Sequence, residues 1–330
     1  MIHIIPTLDY EIFGNGKGDV KKHMVNPTKE ITSIFDKYGV KYSIMFEYME
    51  YKKFKEYDKQ LSKDLGYSPY NLITKQLTRL SKKGHDIQLH IHPQWLNARY
   101  KDNKWVMEDP YLPIDELDYK QIVKILYEGK SFLEKFCKRY NKDYECLALR
   151  LTNQGWNPPS SKVVEAMKEI GLIAHSLSTS DKSLDRKNSY WPLDDGVFEL
   201  PILSFRYPWY KKYTLRRILA NIYLRLSSSK FFRSKKRKTT KEDNGNMCNL
   251  KWDFCKMNSK RLTRYLKIVK EKYDWKEKEI PLIMIGHSKD FFFKRDLDKF
   301  IANLVNDEDE SVRFNTLLDF GKTYLKECEN

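Results

Sequence analysis

The sequence predicts an α/β fold built on a parallel sheet, and three observations lead to this prediction. Short apolar runs of strand length alternate with longer segments in which apolar residues recur at helical spacing. Glycine or proline marks the ends of several of these units. Polar, chemically reactive side chains stand where several strands end, which is where α/β barrels place active sites. The alternation leaves open whether the sheet is open or closed into a barrel.

The first half of the chain contains four predicted strands and three predicted helices. The first helix begins near Asn26, a capping residue, with Pro27 suited to its first turn, and Gly39 ends it. Strands are predicted at residues 2–8, 40–46, 86–92 and 146–151, helices at 27–38, 69–83 and 116–140, and an aromatic-rich loop at 95–113.

The second half continues the alternation, apart from one basic segment. Strands are predicted at 172–177, 197–202, 281–285 and 312–314, and helices at 160–170, 258–272, 294–305 and 316–327. The sequence contains no visible internal repeat. We therefore expect a single catalytic domain over residues 1–330, with a basic insertion at 204–245 inside it.

The positive charge of the chain is concentrated in that insertion. The 330 residues carry a formal net charge of +16, from 61 Lys and Arg against 45 Asp and Glu. Between Glu199 and Glu242 there are 13 basic residues and no acidic one, which leaves 48 basic against 45 acidic residues elsewhere. The body of the protein is close to neutral, so an argument from charge to a polyanionic partner concerns this segment only.

The sequence gives no sign of export. The N-terminus lacks a basic stretch followed by a long apolar one, and no run of about 18 apolar residues occurs. The five cysteines are odd in number and include no CxxC pair, which argues against a disulfide framework and a cysteine-based zinc site. We therefore expect a cytoplasmic protein with reduced cysteines.

Histidine and carboxylate side chains at two strand ends predict a metal site. His90 and His92 alternate along a strand and therefore point to the same face, as do Asp9 and Glu11. Two imidazoles with a carboxylate from a neighbouring strand form a ligand set for a divalent cation such as zinc. One of Asp9 and Glu11 can bind metal while the other serves as a base. The alternative to a metal site is a structural role for each residue. His90 and His92 would then be strand histidines with ordinary hydrogen-bond partners, and Asp9 would be a helix cap or a turn residue.

Arg150 and His287 complete this set of polar residues at strand ends. Arg150 ends the fourth strand, and His287 follows the apolar run at 281–285. Each has a structural alternative, a surface ion pair for Arg150 and a hydrogen-bonding role for His287. The co-occurrence of four such clusters at strand ends favours a functional site.

The order and spacing of these residues resemble the polysaccharide deacetylase family, also called NodB-homology or carbohydrate esterase 4 proteins. That family has Thr-Phe-Asp-Asp after its first strand, Gly-His-Glu-Ile-Gly-x-His-[Ser/Thr]-x-x-His after its third, an Arg after its fourth and a late Leu-x-x-His. The similar segments here are Thr7-Leu8-Asp9, Gly84–His90, Arg150 and Ile285-Gly286-His287. The resemblance runs from residue 1 to about 325. It implies a distorted (β/α)7-type barrel that carries the basic helical insertion.

Two positions depart from the family motifs. Tyr10 stands where the family has a metal-binding Asp, and the resemblance to relatives with other spacings implies Glu11 as the replacement ligand. Gln94 stands where the family has its second metal-binding His. Either His92, two residues earlier, substitutes for that ligand, or the site has lost it. The same-face argument favours His92.

The resemblance implies metal-dependent removal of N-acetyl groups from a sugar or glycan, with zinc as the first candidate metal and a role in surface polysaccharide biosynthesis. It implies Asp9 as general base, His287 as general acid and Arg150 as the residue that holds Asp9. The implied metal ligands are Glu11, His90 and His92.

Several tryptophans and tyrosines lie in loops that follow predicted strands. Aromatic faces suit the C–H faces of sugar rings, so Trp95 and Trp156 are the predicted substrate-binding residues. Ordinary packing in the core is the alternative for each of them.

The basic insertion predicts an amphipathic helix followed by a polybasic loop. Apolar residues recur there at helical spacing, namely Leu215, Ile218, Leu219, Ile222, Tyr223 and Leu226. Such segments bind anionic membrane surfaces. We therefore expect peripheral contact with the inner face of the membrane and a lipid-linked glycan as a candidate substrate, with a helix packed on the barrel as the alternative. Nucleic acid is not expected, because no recognition fold accompanies the patch.

Two other functions stay open at this point. One is a catalytically inactive protein of the deacetylase fold that binds glycan or a membrane surface, which the replacements at Tyr10 and Gln94 keep open. The other is a metal-dependent hydrolase of a non-sugar amide. The sequence names neither the sugar nor its linkage or carrier.

Overall fold

A curved, mainly parallel β-sheet forms the centre of the protein in a computed structural model. The structure describes residues 1–14, 16–151, 158–177, 189–208, 218, 222, 247–307 and 310–325. Its strands in chain order are β1 (Ile2–Tyr10), β2 (Ser43–Glu47), β3 (Asp86–Ile91), β4 (Arg99–Lys101), β5 (Lys104–Val106), β6 (Ala148–Leu151), β7 (Ala174–His175), β8 (Trp191–Asp194), β9 (Val197–Glu199), β10 (Ser204–Pro208), β11 (Met247–Lys251), β12 (Ile280–His287) and β13 (Val312–Phe314).

Neighbouring strands of the central sheet follow the order β12-β1-β2-β3-β6-β7-β9-β8, and β13 pairs with β1 beside Ile2–Ile4. These pairs are parallel except for β8 with β9, as expected where helices connect consecutive strands. The sheet curls into an open half-barrel, and single parallel bridges join Ile202 and Asp253 to β12. The predicted α/β barrel is confirmed in this distorted form.

Helices connect the strands, and all of those described except the last pack on the outer face of the sheet. They are α1 (Asn26–Lys37), α2 (Tyr48–Glu56), α3 (Asp58–Leu65), α4 (Pro69–Lys82), α5 (Tyr119–Cys137), α6 (Ser161–Glu169), α7 (Ser259–Lys272), α8 (Lys294–Val305) and α9 (Leu317–Phe320). Local sequence explains where two of them begin. The Ser68 side chain accepts from the Asn71 amide at the start of α4, and Asp118 and Gln121 form a reciprocal capping box at α5.

Alternation along the strands separates two apolar cores. Outward side chains such as Leu8, Phe46 and Leu89 pack against the helices in the larger core. Inward side chains such as Ile5 and Met45 form a smaller core inside the barrel. Toward the carboxyl ends of the strands the inward side chains become polar, and this change positions the candidate site.

The C-terminal segment closes the amino end of the barrel. Leu317 and Phe320 of α9 belong to the inner core. The Leu317 amide donates to Ser43 Oγ (2.8 Å), and the Leu318 amide donates to Asp86 Oδ2 (3.1 Å). These bonds tie the start of α9 to the first residues of β2 and β3, so the inner surface is plugged at one end and carries its polar site at the other.

The sequence locates the long apolar elements and misses short charged ones. Helix α8 has its predicted bounds, and the strand predicted at 281–285 extends to His287. Helices α2 and α3 lie where no element is predicted, because Lys and Glu residues interrupt the apolar spacing there. The hairpin β4–β5 lies within the predicted aromatic loop.

The predicted basic helix lies almost entirely outside the described residues. Strand β10 forms the start of the insertion and pairs with β11, which follows the insertion, in an antiparallel ribbon. Ile218 and Ile222, the two described residues of the predicted helix, are helical and exposed. Among the helices of the described ranges, none has the length and apolar character needed to cross a membrane.

Candidate active site

Four strands bring polar side chains to the carboxyl end of the barrel. In the parallel ladders, Asp9 of β1 lies opposite His287 of β12, and His90 of β3 lies opposite Arg150 of β6. His287 keeps 18% of its side chain exposed, whereas the others are buried. The residues that the structure brings together here are Asp9, Glu11, His90, His92, Arg150 and His287.

The Arg150 guanidinium fixes the position of Asp9. Nη1 donates to Asp9 Oδ1 in a buried ion pair. Nη2 donates to Thr7 Oγ1 and to Ser176 Oγ, both at 3.0 Å, and Nε donates to the Ser176 carbonyl oxygen at 2.7 Å. A planar guanidinium with these partners holds the carboxylate in one orientation. Burial alone raises the pKa of Asp9, but the charge of Arg150, with help from His287, outweighs burial and holds the pKa below its usual value.

His287 lies on the other side of Asp9. Its Nε2 is 3.3 Å from Asp9 Oδ2, and its Nδ1 is 3.9 Å from Asp253 Oδ2 and makes no hydrogen bond. Burial lowers the pKa of His287 to about 3, although the charge of Asp9 acts in the opposite direction. The pair therefore consists of a carboxylate and a neutral imidazole at neutral pH.

Glu11, His90 and His92 converge on one point. Glu11 Oε2 lies 2.7 Å from His92 Nε2 and 3.6 Å from His90 Nε2, and these two nitrogens are 3.0 Å apart. His90 Nδ1 donates to the Arg150 carbonyl oxygen at 2.8 Å, which directs its Nε2 at the cluster. Glu11 Oε2 is buried and makes no hydrogen bond. Two imidazole nitrogens and an orphaned carboxylate oxygen at these distances fit a divalent cation.

The two residues that depart from the family motifs, Tyr10 and Gln94, contact different parts of the structure. Gln94 lies behind His92, with its Nε2 donating to the Gly14 carbonyl oxygen (3.2 Å) and lying 3.2 Å from His92 Nδ1. His92 therefore lies in the cluster with Glu11 and His90, and Gln94 contacts the other ring nitrogen of His92. Tyr10 points outward, where its hydroxyl donates to Gln76 Oε1 (2.6 Å). Glu11 is the carboxylate beside the two histidines.

Opposing effects set the protonation of this cluster. Burial alone raises the pKa of Glu11, but His92 and Lys289 outweigh burial and hold the pKa well below its usual value. Burial lowers the pKa of His92 against the attraction of Glu11. An anionic carboxylate and a neutral imidazole are the states in which these groups bind metal.

Two buried glutamates that sequence reasoning missed hold the backbone beside these ligands. Glu47, which also caps α2, accepts from the His92 amide at 2.9 Å. Glu50 accepts from the Ile12 amide at 3.1 Å, directly after Glu11. A signal for Glu47 was present, because it directly follows a predicted strand, as Asp9 does. Lys289 was also missed, although it lies two residues after His287.

The structure describes one of the two predicted substrate-binding tryptophans, Trp95. Trp95 has no exposed surface, and its ring packs against Phe54 and Trp105 with centroid distances of 6.1 and 5.1 Å. Because this ring lies in the core and offers no face to a sugar, the structure corrects the prediction for Trp95. Trp156 lies outside the described residues.

No family model matches the chain, and no curated protein matches it. Solved structures do match. A protein from Mycobacterium smegmatis described as a polysaccharide deacetylase superposes with a TM-score of 0.54 at 10% identity, over 100% of this chain and 92% of that chain. The chain has the polysaccharide deacetylase fold.

Solved structures of proteins that are not described as polysaccharide deacetylases share this fold. Puue allantoinase matches with a TM-score of 0.50 at 13% identity, over 98% of this chain and 91% of that chain. A 4-alpha-glucanotransferase from Thermococcus litoralis matches with a TM-score of 0.52 at 12% identity, over 98% of this chain and 40% of that chain. The polysaccharide deacetylase fold therefore does not select one reaction, and function has to be argued from the site.

Proposed function

We propose that this protein is a metal-dependent hydrolase that removes N-acetyl groups from a sugar or glycan. One observation carries the proposal: the pair of Asp9 and His287, held by Arg150, adjoins a cation-binding cluster at the same end of the barrel. A carboxylate–histidine pair can move protons, and a bound cation can polarise a carbonyl group. Hydrolysis of an acetamide uses both.

Asp9 is the proposed general base. Because Arg150 and His287 hold its pKa below the usual value, its carboxylate is ionised throughout the neutral range. It can therefore accept a proton from a water that attacks the acetamide carbonyl carbon. Arg150 acts as a positioning residue that keeps this carboxylate in place.

His287 is the proposed route of that proton to the leaving nitrogen. With a pKa of about 3 its imidazole is neutral at rest, so it takes up the proton from Asp9 before it donates. The distance of 3.3 Å between Asp9 Oδ2 and His287 Nε2 suits this transfer. The C–N bond then breaks to give acetic acid and the free amine. One water is consumed, and no other reactant is needed.

Glu11, His90 and His92 are the proposed metal ligands. A divalent cation held by them would withdraw electron density from the carbonyl group and stabilise negative charge on its oxygen. Two imidazoles and one carboxylate suit zinc, which is the first candidate. The Arg150 carbonyl orients His90, and Glu47 holds the backbone of His92.

The choice of an N-acetylated sugar is supported by the shared fold with the protein described as a polysaccharide deacetylase. A non-sugar amide is the alternative substrate, since an allantoinase has the same fold. The substrate class is therefore the part of the proposal that an activity assay has to decide.

We also propose that residues 204–245 are a membrane-facing insertion in a single catalytic domain that spans residues 1–330. The 13 basic residues and no acidic one between Glu199 and Glu242, together with the exposed helical residues Ile218 and Ile222, support contact with an anionic surface. A lipid-linked glycan of surface polysaccharide assembly, reached from the cytoplasmic side, is the matching substrate. Deletion of 214–241 is expected to abolish cosedimentation with anionic vesicles, and unchanged binding would refute the contact.

Acetate release from a panel of N-acetylated sugars tests the activity. The chelated protein is reloaded with zinc, cobalt or magnesium and compared with Asp9→Asn and with Asp298→Asn, a matched change in an exposed ion pair with Lys37. We expect metal-dependent release by the wild type and Asp298→Asn, and its loss in Asp9→Asn. Absence of release from every sugar with every metal, or equal release by Asp9→Asn, contradicts the proposal.

A further inference from the structure

Lys289 is a cation built into the candidate metal site. It belongs to the 3₁₀ turn Ser288–Asp290 directly after β12, and its side chain is only 11% exposed. Its Nζ lies 2.5 Å from Glu11 Oε1 and donates to the Ile12 carbonyl oxygen at 3.0 Å. Two acceptors at the end of β1 therefore hold the ammonium in place.

The two oxygens of Glu11 consequently have different partners. Oε1 pairs with Lys289, whereas Oε2 faces the Nε2 atoms of His92 (2.7 Å) and His90 (3.6 Å) and makes no hydrogen bond. A cation at the cluster can reach Oε2, while the ammonium occupies the approach to Oε1. Lys289 thus sets the orientation of Glu11 and limits the contact to one oxygen.

The ammonium also changes the electrostatics of the cluster. Glu11 is the anionic member of a set whose other two members are imidazoles, so the charge attraction for a cation comes mainly from it. A lysine in contact with the same carboxylate repels a nearby divalent cation. The site then depends on its two imidazoles, which zinc and cobalt accept readily, whereas magnesium and calcium prefer several oxygen ligands.

We propose that Lys289 weakens and filters cation binding at this site. It restricts Glu11 to one oxygen contact with the cation, and it favours transition metals over magnesium and calcium. Because Lys289 compensates part of the negative charge of Glu11, a bound cation would keep more of its positive charge to polarise a carbonyl group. This inference rests on the proposed metal-dependent function. The inference concerns the affinity and the selectivity of the site for cations, and the proposed function does not specify either of them.

Cation affinity of the chelator-treated, full-length protein tests the proposal. Lys289→Met removes the charge, Lys289→Arg retains it, and Lys256→Met is the matched control because Lys256 pairs with Asp290 and Asp253 rather than with a ligand. Competition with a chromophoric chelator gives the zinc affinity, magnesium binding is measured by calorimetry, and the visible spectrum of bound cobalt reports its coordination.

We expect Lys289→Met to bind zinc about tenfold more tightly or better, to gain magnesium binding and to shift the cobalt spectrum. Lys289→Arg and Lys256→Met should stay within about threefold of the wild type.

The outcomes separate this inference from the function on which it rests. Equal or weaker zinc binding by folded Lys289→Met, with wild-type binding intact, overturns the role of Lys289 and leaves the metal site standing. Absence of zinc and cobalt binding in the wild type overturns the metal site and this inference together. Thermal unfolding checks the fold of each variant, and Lys289→Gln replaces Lys289→Met if the latter does not fold.

Discussion

Two aspartates on the inner surface of the barrel differ in the partner that each buried carboxyl faces. Asp9 lies at the carboxyl end and Asp86 at the amino end, with 5% and 4% of their surface exposed. Asp9 faces the guanidinium of Arg150, which holds its pKa below the usual value against the effect of burial. Asp86 faces three neutral donors, and burial raises its pKa to about 6 although those hydrogen bonds act in the opposite direction. A full charge outweighs burial here, and neutral hydrogen bonds do not.

The polar groups around the two aspartates also differ in how completely they are satisfied. Asp86 accepts from the Ser43 hydroxyl, the Gln88 side-chain amide and the Leu318 backbone amide at 2.8, 2.7 and 3.1 Å. At the other end, Glu11 Oε2 and His287 Nδ1 are buried without a hydrogen bond. Because unsatisfied buried polar atoms are rare, Glu11 Oε2 and His287 Nδ1 support the proposal that the carboxyl-end cluster holds a ligand.

The largest effect should come from making the same substitution at both ends. Asp9→Asn removes the proposed base without changing its size, so the kcat for acetate release should fall by about 10³-fold. Asp86→Asn should keep activity within about threefold, because Asp86 takes no part in the proposed reaction. Similar losses of kcat in the two variants would contradict this contrast between the two aspartates. They would show that both substitutions lower activity by disturbing the fold.

Removing the guanidinium of Arg150 should leave Asp9, like Asp86, as a buried carboxyl group without a positively charged partner. Arg150→Met leaves a buried carboxylate without its charged partner, so the free energy of unfolding at pH 7 should fall by about 3–5 kcal/mol. Arg150→Lys, which keeps the charge without the planar fork, should lose less. Lys37→Met, which breaks an exposed pair with Asp298, should lower the free energy of unfolding far less than Arg150→Met does, because solvent screens that pair. Denaturant unfolding measures all three, and a loss near that of Lys37→Met in Arg150→Met would contradict the role of Arg150.

Local pattern explains why much of the candidate site could be predicted from sequence. Side-chain alternation in a strand has a period of two, so a shared face for Asp9 and Glu11, and for His90 and His92, follows from their spacing. Parallel strands end at one edge of a sheet, so polar residues at strand ends were expected to meet. The family resemblance added the roles of Arg150 and His287, which spacing alone does not give.

Other features depend on contacts between residues far apart in the chain. Lys289 and Glu11 are separated by 278 positions, and their pairing appears only once the barrel places β12 beside β1. Trp95 shows a different limit, because an aromatic residue in a loop has the same local signature whether it packs in the core or binds a ligand. The structural role of Asp86 does not follow from local pattern either, since the helix whose backbone amide donates to it comes more than 200 residues later.

The pH dependence of stability should sharpen the contrast between the two ends. Asp86 has a folded pKa of about 6 against an ordinary value of 3.8, so between these values the folded protein binds more protons than the unfolded chain. Its contribution to stability is therefore present below about pH 4 and is lost as the pH rises through 6. From pH 4 to 6 the wild type should lose roughly 2 kcal/mol more unfolding free energy than Asp86→Asn. Parallel curves for the two proteins would refute the raised pKa.

The smallest effect is expected for Trp95→Phe, which tests whether every aromatic residue near the carboxyl end belongs to the site. Trp95 is enclosed by Phe54 and Trp105, and its Nε1 is buried without a hydrogen bond. Phenylalanine leaves a small cavity but also removes that unsatisfied group, so the two effects partly cancel, and the cost in unfolding free energy should be about 1 kcal/mol. KM for the sugar should stay within about twofold, because a ring with no exposed surface cannot stack on a substrate. A tenfold rise in KM at unchanged stability would instead show that Trp95 contacts the substrate and does not only pack in the core.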